Sequence, residues 1–171
     1  MEVQKLRRIS QRMTSRGKEL FEKCVRAQQQ KDAAAASMYA AEAAEMRKMS
    51  SVIIKGELSL ERVLLRLKSI QDFKQAIGIV MPAIRVIGQV QSELSNVVPE
   101  VSADLAQLND RLDEVYISAG IVDSGFANET TVADQEAQKI LQEASAVAEQ
   151  RVKNSFPDLQ QLNPNWETGR R

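Results

Sequence analysis

The chain has 171 residues with 23 basic and 23 acidic side chains, 27% charged and only 4% aromatic residues, 7 glycines, 4 prolines, one cysteine and no histidine. So few aromatics and chain breakers favour long helices or coiled coils over a sheet protein. Without histidine, and with Cys24 alone, an intrachain disulfide, a Cys/His metal cage and an imidazole base are all excluded.

The neutral total hides a polarity. Residues 1–31 hold nine Lys or Arg against three Asp or Glu, a net of +6. Residues 96–136 hold one Arg against nine Asp or Glu, a net of −8. One reduced thiol fits a cytosolic compartment. No N-terminal apolar run reads as a signal peptide. No run of about 18 uncharged apolar residues could span a bilayer.

The first segment, about residues 3–30, places Val3, Leu6, Ile9, Met13, Leu20, Cys24 and Ala27 on one helix face. Gly17 falls on the same face, where a missing side chain allows close contact. The helix is expected to be roughly 40 Å long at about 1.5 Å per residue. On its outer side Lys5, Arg8, Arg12, Arg16, Lys23 and Arg26 fall within a sector of roughly 80°, at about 100° per residue. Glu19 is the one acid among them. A solvated face would explain such a stripe. Its length and few acidic exceptions point instead to an anionic partner. Lipid, nucleic acid and protein all fit the charge. With no aromatic interleaved for base stacking, sequence-independent binding to an anionic membrane is favoured over nucleic acid.

Asp32 is suited to cap a second helix that begins on the run Ala33–Ala34–Ala35–Ala36. The short break before it predicts a helical hairpin. Met46, Met49, Ile53, Gly56, Leu60, Val63, Leu67 and Ile70 then alternate three- and four-residue steps, an a/d heptad seam. The seam predicts core or interface without deciding between them. Gly56 and Pro82 read as joints. Further apolar series follow at Ala83, Ile87, Val90, Leu94 and Val97, and at Val101, Leu105, Leu108, Leu112 and Val115, with Pro99 between them. The acids Asp104, Asp110, Asp113 and Glu114 mark the second of these helices. They read as a solubilising face, or as a partner for the basic helix within one chain or between neighbours. Thr131 with Asp134 is suited to open a last helix.

The expected fold is therefore all-α and elongated: a helical core over residues 1–119, with a hairpin at about 3–80 and further helices at about 83–119. A linker at 120–130, a C-terminal helix at 131–156 and a flexible tail at 157–171 complete it. With no Gly-rich phosphate loop and no metal-ligand cluster, the chain reads as a non-enzymatic assembly protein without cofactor or metal.

The order of segments carries a resemblance. Tyr39-Ala-Ala-Glu42, Met46-Arg-Lys-Met49, Leu60-Glu-Arg-Val63 and Leu65-Arg-Leu67-Lys-Ser-Ile70 resemble the ESCRT-III family, most of all its archaeal cell-division members of the CdvB type. Asp104-Leu, Asn109-Asp-Arg-Leu-Asp113, Glu136 to Glu143, Val147 to Arg151 and Phe156-Pro-Asp-Leu159 continue it. The resemblance implies a closed state in which an acidic C-terminal region masks the hairpin. It also implies release into filaments, of this chain and paralogous subunits, that remodel and cut membrane at the cytoplasmic face of the division site. A further implied partner is an AAA ATPase with a microtubule-interacting domain. Phe156, Pro157, Leu159, Leu162 and Pro164 loosely resemble the proline-containing motif that such a domain binds, and a helix stop would also explain them. Leu108, Arg111, Leu112 and Val115 loosely resemble its helical version. Tyr116 stands where that version has a basic residue, which favours core packing. A soluble coiled-coil adaptor and a nucleic-acid-compacting protein are the alternative readings.

Overall fold

The computed structural model describes residues 1–119 and 126–158, leaving aside the side chains of 73, 74, 77 and 126–129. It is all-α. Five helices occur among the described residues: α1 (Glu2–Gln29), α2 (Ala33–Lys68), α3 (Phe73–Leu94), α4 (Pro99–Ser118) and α5 (Phe126–Ser155).

The hairpin turn forms as the local chemistry dictates. The Asp32 carboxylate accepts the Ala35 N–H at 3.0 Å, and the Asp32 N–H donates back to the Ala27 carbonyl at 2.9 Å. Lys31 takes a positive φ of 59° to reverse the chain. Beyond the turn, α1 and α2 pack closely because the contacts are small. Cys24, Ala27 and Ala36 form one buried cluster, with Tyr39 and Ala40 against it.

The expected hairpin reached to about residue 80, but its second arm ends at Lys68. Residues 69–72 break the helix, and α3 folds back along α2. Local hydrogen bonding explains the stop. The Asp72 carboxylate caps α3 by accepting the Gln75 N–H at 2.8 Å, while the Gln75 side chain accepts the Gln71 N–H at 3.2 Å.

Neither expected joint is a break. Gly56 lies inside continuous, buried α2, where a Cβ would stand 3.2 Å from Val90 Cγ1 and 3.5 Å from Leu94. Its role is to admit α3. Pro82 sits inside α3. Proline forfeits one backbone bond and crowds the carbonyl four residues back. That carbonyl belongs to exposed Gly78, which has open space where a side chain would be, so water can replace the lost donor.

α4 starts on Pro99, which suits a first helical position. The Ser102 hydroxyl donates to the Gln91 carbonyl at 2.9 Å and fixes α4 antiparallel to α3. The main core joins four helices plus α5: Leu6, Ile53, Leu60, Val63, Val86, Ile87, Val90, Leu94, Val101, Leu105 and Ile140 are all buried in it. The heptad seam thus divides in this state. Ile53, Leu60 and Val63 are buried, and Met46, Met49, Leu67 and Ile70 are half-buried.

The last helix begins at Phe126, five residues before the expected start at 131, so the proposed 120–130 linker is in part helix. Residues 120–125 of that linker lie outside the described residues, as does the expected tail from 159 onward.

Candidate functional site: the basic stripe and the α5 clasp

α1 presents its stripe as the wheel predicts, but the six cations do not share one environment. Arg8, Arg12 and Arg16 are exposed and form no ion pair among the described residues. The Arg8 guanidinium donates to the Gln4 carbonyl of its own helix, at 3.3 Å. Lys23 and Arg26 stand near the hairpin turn. Lys23 lies 6.0 Å from the Tyr39 ring centre, and Arg26 is 3.8 Å from Glu22.

Lys5 is different. Its ammonium donates to Asp104 at 2.7 Å and stands 3.5 Å from Glu100 and 3.6 Å from Glu2. The hydrogen bond to Asp104 is the main reason that its pKa is pushed up to about 12. The same bond holds the Asp104 carboxyl below its ordinary value. Of the four acids singled out on α4, Asp104 alone reaches the basic helix. Asp110 and Glu114 are exposed and Asp113 half-buried, all three without an ion pair among the described residues. On the same helix Leu112 packs on the core and Tyr116 is buried, but Leu108 and Val115 are exposed. Core packing therefore does not account for that whole set.

The larger electrostatic clasp lies on α5, which runs antiparallel to α2. Arg66 donates to Glu136 at 2.8 Å, Arg62 pairs with Glu143, and Arg85 of α3 is 3.2 Å from Asp134. The Arg66 hydrogen bond holds Glu136 below its ordinary carboxylate value. At the middle of the bundle Glu57 is 1% exposed. It accepts from Arg7 of α1 at 2.8 Å and faces Arg151 of α5 at 3.5 Å. Glu61 takes the second branch of Arg7 at 3.0 Å, and Glu57 and Glu61 together raise the Arg7 pKa.

Arg7 and Glu57 were not among the residues read from the sequence. Arg7 lies off the stripe, on the opposite flank of α1. The available signal was Glu57 itself, an acid inside the apolar run from Val52 to Leu60.

The end of α5 is anchored apolarly. Phe156 is buried with Ile54, Leu58, Ala148 and Val152, and its ring fills the space over Gly17. A Cβ on Gly17 would stand 2.4 Å from the Phe156 ring. The close approach expected at Gly17 is thus made by this phenylalanine. Pro157 is half-buried beside it, while Leu159, Leu162 and Pro164 lie outside the described residues.

The depressed carboxyls set a pH dependence. A carboxyl whose folded pKa lies below its unfolded one stabilises fully above the unfolded value, and the contribution disappears as pH falls through the folded value. For Asp104 and Glu136 the ordinary values are 3.8 and 4.5. The melting temperature should therefore show no loss from these two groups between pH 8 and about pH 5, and a decline below about 4.5. Thermal melts across that range check this, and Glu136→Gln should remove part of the decline.

No helix among the described residues is long and apolar enough to cross a membrane. No protein-family profile matches the chain, and no solved structure does. Curated proteins do, among them two of Sulfolobus acidocaldarius. Cell division protein B1 is 40% identical over 148 residues, which cover 86% of this chain and 69% of that protein. Cell division protein B is 32% identical over 148 residues, again 86% of this chain, but the chain spans only 56% of its length. On the ordered helices and this identity, the chain belongs to the CdvB family, the ESCRT-III-like cell division proteins of archaea.

Proposed function

We propose that this chain acts in archaeal cell division as a subunit that assembles into filaments on anionic membrane and helps to remodel and cut it. The observation that carries the reading is the run of exposed arginines Arg8, Arg12 and Arg16, without an ion pair among the described residues, along a long hairpin. Each cation at an anionic leaflet contributes about 1 kcal/mol. Three together favour binding by roughly a hundredfold, and arrayed copies multiply it. Peripheral attachment at the inner face of the cell membrane follows from the same charges.

The family role supports paralogous subunits and an AAA ATPase with a microtubule-interacting domain as partners. If Phe156 and Pro157 belong to the segment that such a domain grips, the end of α5 must first lift from Gly17. The three arginine positions provide the test. With Arg8, Arg12 and Arg16 all changed to Glu, sedimentation with anionic vesicles should fall about a hundredfold or more in apparent affinity. Undiminished pelleting would sink the membrane reading. A soluble adaptor that never polymerises is the second reading, favoured by the closed packing of α5. Electron microscopy with vesicles separates the two, because only the first reading gives filaments or rings.

A further inference from the structure

We infer that two closed copies of this chain pair through their α1 and α4 surfaces, each copy's arginine stripe lying on the other's acidic α4. The inference deepens the self-assembly part of the reading above, and it needs neither membrane nor release of α5.

The argument begins at the Lys5–Asp104 contact. It joins the start of α1 to the first half of α4 at 2.7 Å. Each successive helix of α1 to α4 folds back on the one before, so α1 and α4 are antiparallel. From that contact the two chains run in opposite directions. Arg8, Arg12 and Arg16 extend one way along α1, at four-residue spacing. Asp110 and Glu114 extend the other way along α4, also four apart. All five are exposed and lack an ion pair among the described residues. Arg111 is the one base on this stretch of α4.

A single protomer cannot bring these two patches together, because they diverge from their shared seam. A twofold axis through the seam does so twice over. It places the arginines of each copy opposite the acids of the other, with matching rise per turn along both helices. The intramolecular Lys5–Asp104 bond is the same chemistry within one copy. Because the contact consists of exposed charges, salt should screen it.

The pairing has a functional consequence. It occupies the arginines proposed for the membrane, so pair and membrane compete for one surface.

The test is sedimentation velocity on the full chain without vesicles. At about 0.05 M salt a dimer is expected, weakening about tenfold or more by about 0.5 M. Asp110→Lys with Glu114→Lys should sediment as a monomer, and so should Arg8→Glu with Arg12→Glu and Arg16→Glu. Mixed one to one, the two variants should recover the dimer, because both contacts regain opposite charges. Recovery also shows that both variants fold. A wild-type monomer at low salt, a salt-insensitive dimer, an open ladder of larger species or no recovery on mixing would each overturn the inference. The membrane reading is judged separately. The Asp110→Lys, Glu114→Lys variant keeps its stripe and should bind anionic vesicles more tightly than wild type. Failure of that variant and of wild type to pellet, with the dimer intact, removes the membrane reading alone.

Discussion

Replacing Phe156 with alanine is expected to free the C-terminal end of α5 and to cost about 2–4 kcal/mol, toward the lower part of the range for a buried phenylalanine because the site lies at a helix end. Phe156 is 7% exposed and is the only aromatic residue in its buried cluster. The rest of the α5 inner face carries Ile140 and Val152 among smaller residues. Ala133, Ala137, Ala144 and Ala148 remove far less apolar surface from water than leucines would. Gly17 provides the internal control. Alanine in the middle of a helix is normally better than glycine by about 1 kcal/mol. Here the new Cβ would collide with the ring at 2.4 Å, so Gly17→Ala should destabilise the wild type. In the Phe156→Ala background the ring is gone, and the same change should stabilise. Hydrogen exchange at the α5 amides and a double-mutant cycle read both effects. If Gly17→Ala acts with the same sign in both backgrounds, the ring is not seated there.

Ile53→Ala should be comparably severe, at about 2–4 kcal/mol, since the side chain is fully buried where α2 meets the main core. For a chain of this size that is roughly 4–16 °C in melting temperature. Met49→Ala, one step earlier on the same seam and half-buried, should cost less than half as much. Thermal melts of the two variants tell whether the seam is core in solution. Equal, small shifts at both positions would show that the seam faces water or a neighbour instead.

The helical hairpin was legible because its signals are local and agree. The apolar spacing of α1, the Asp32 cap and the heptads of α2 all specify the same geometry. The break at 69–72 was equally local, yet the more conspicuous Pro82 and Gly56 drew the joints elsewhere. Asp72 followed by Gln75 is a helix-start signature that competed with them. Proline was overruled by tertiary burial on one side and by an open glycine carbonyl on the other.

For the candidate site, the stripe was legible because one-helix geometry suffices to draw it. The partners of charges were not. Whether Asp104 or Asp110 meets α1 depends on where α4 crosses, which no local pattern encodes. The same holds for Arg62 with Glu143 and Arg66 with Glu136, some 70 to 81 residues apart in sequence. Glu57 needed only the recognition that an acid within an apolar run must find a cation.

The unequal construction of the α5 contact has a mechanical consequence. Its ion pairs, its alanines and Ile140 are spread in series along the helix, with an aromatic anchor at the far end. A pull on the C-terminal end of α5 loads Phe156 first. Once that ring leaves Gly17, the remaining contacts meet the load one after another rather than together. The helix would then peel like tape instead of shearing as a block, at a force set by the first contact and nearly independent of its length.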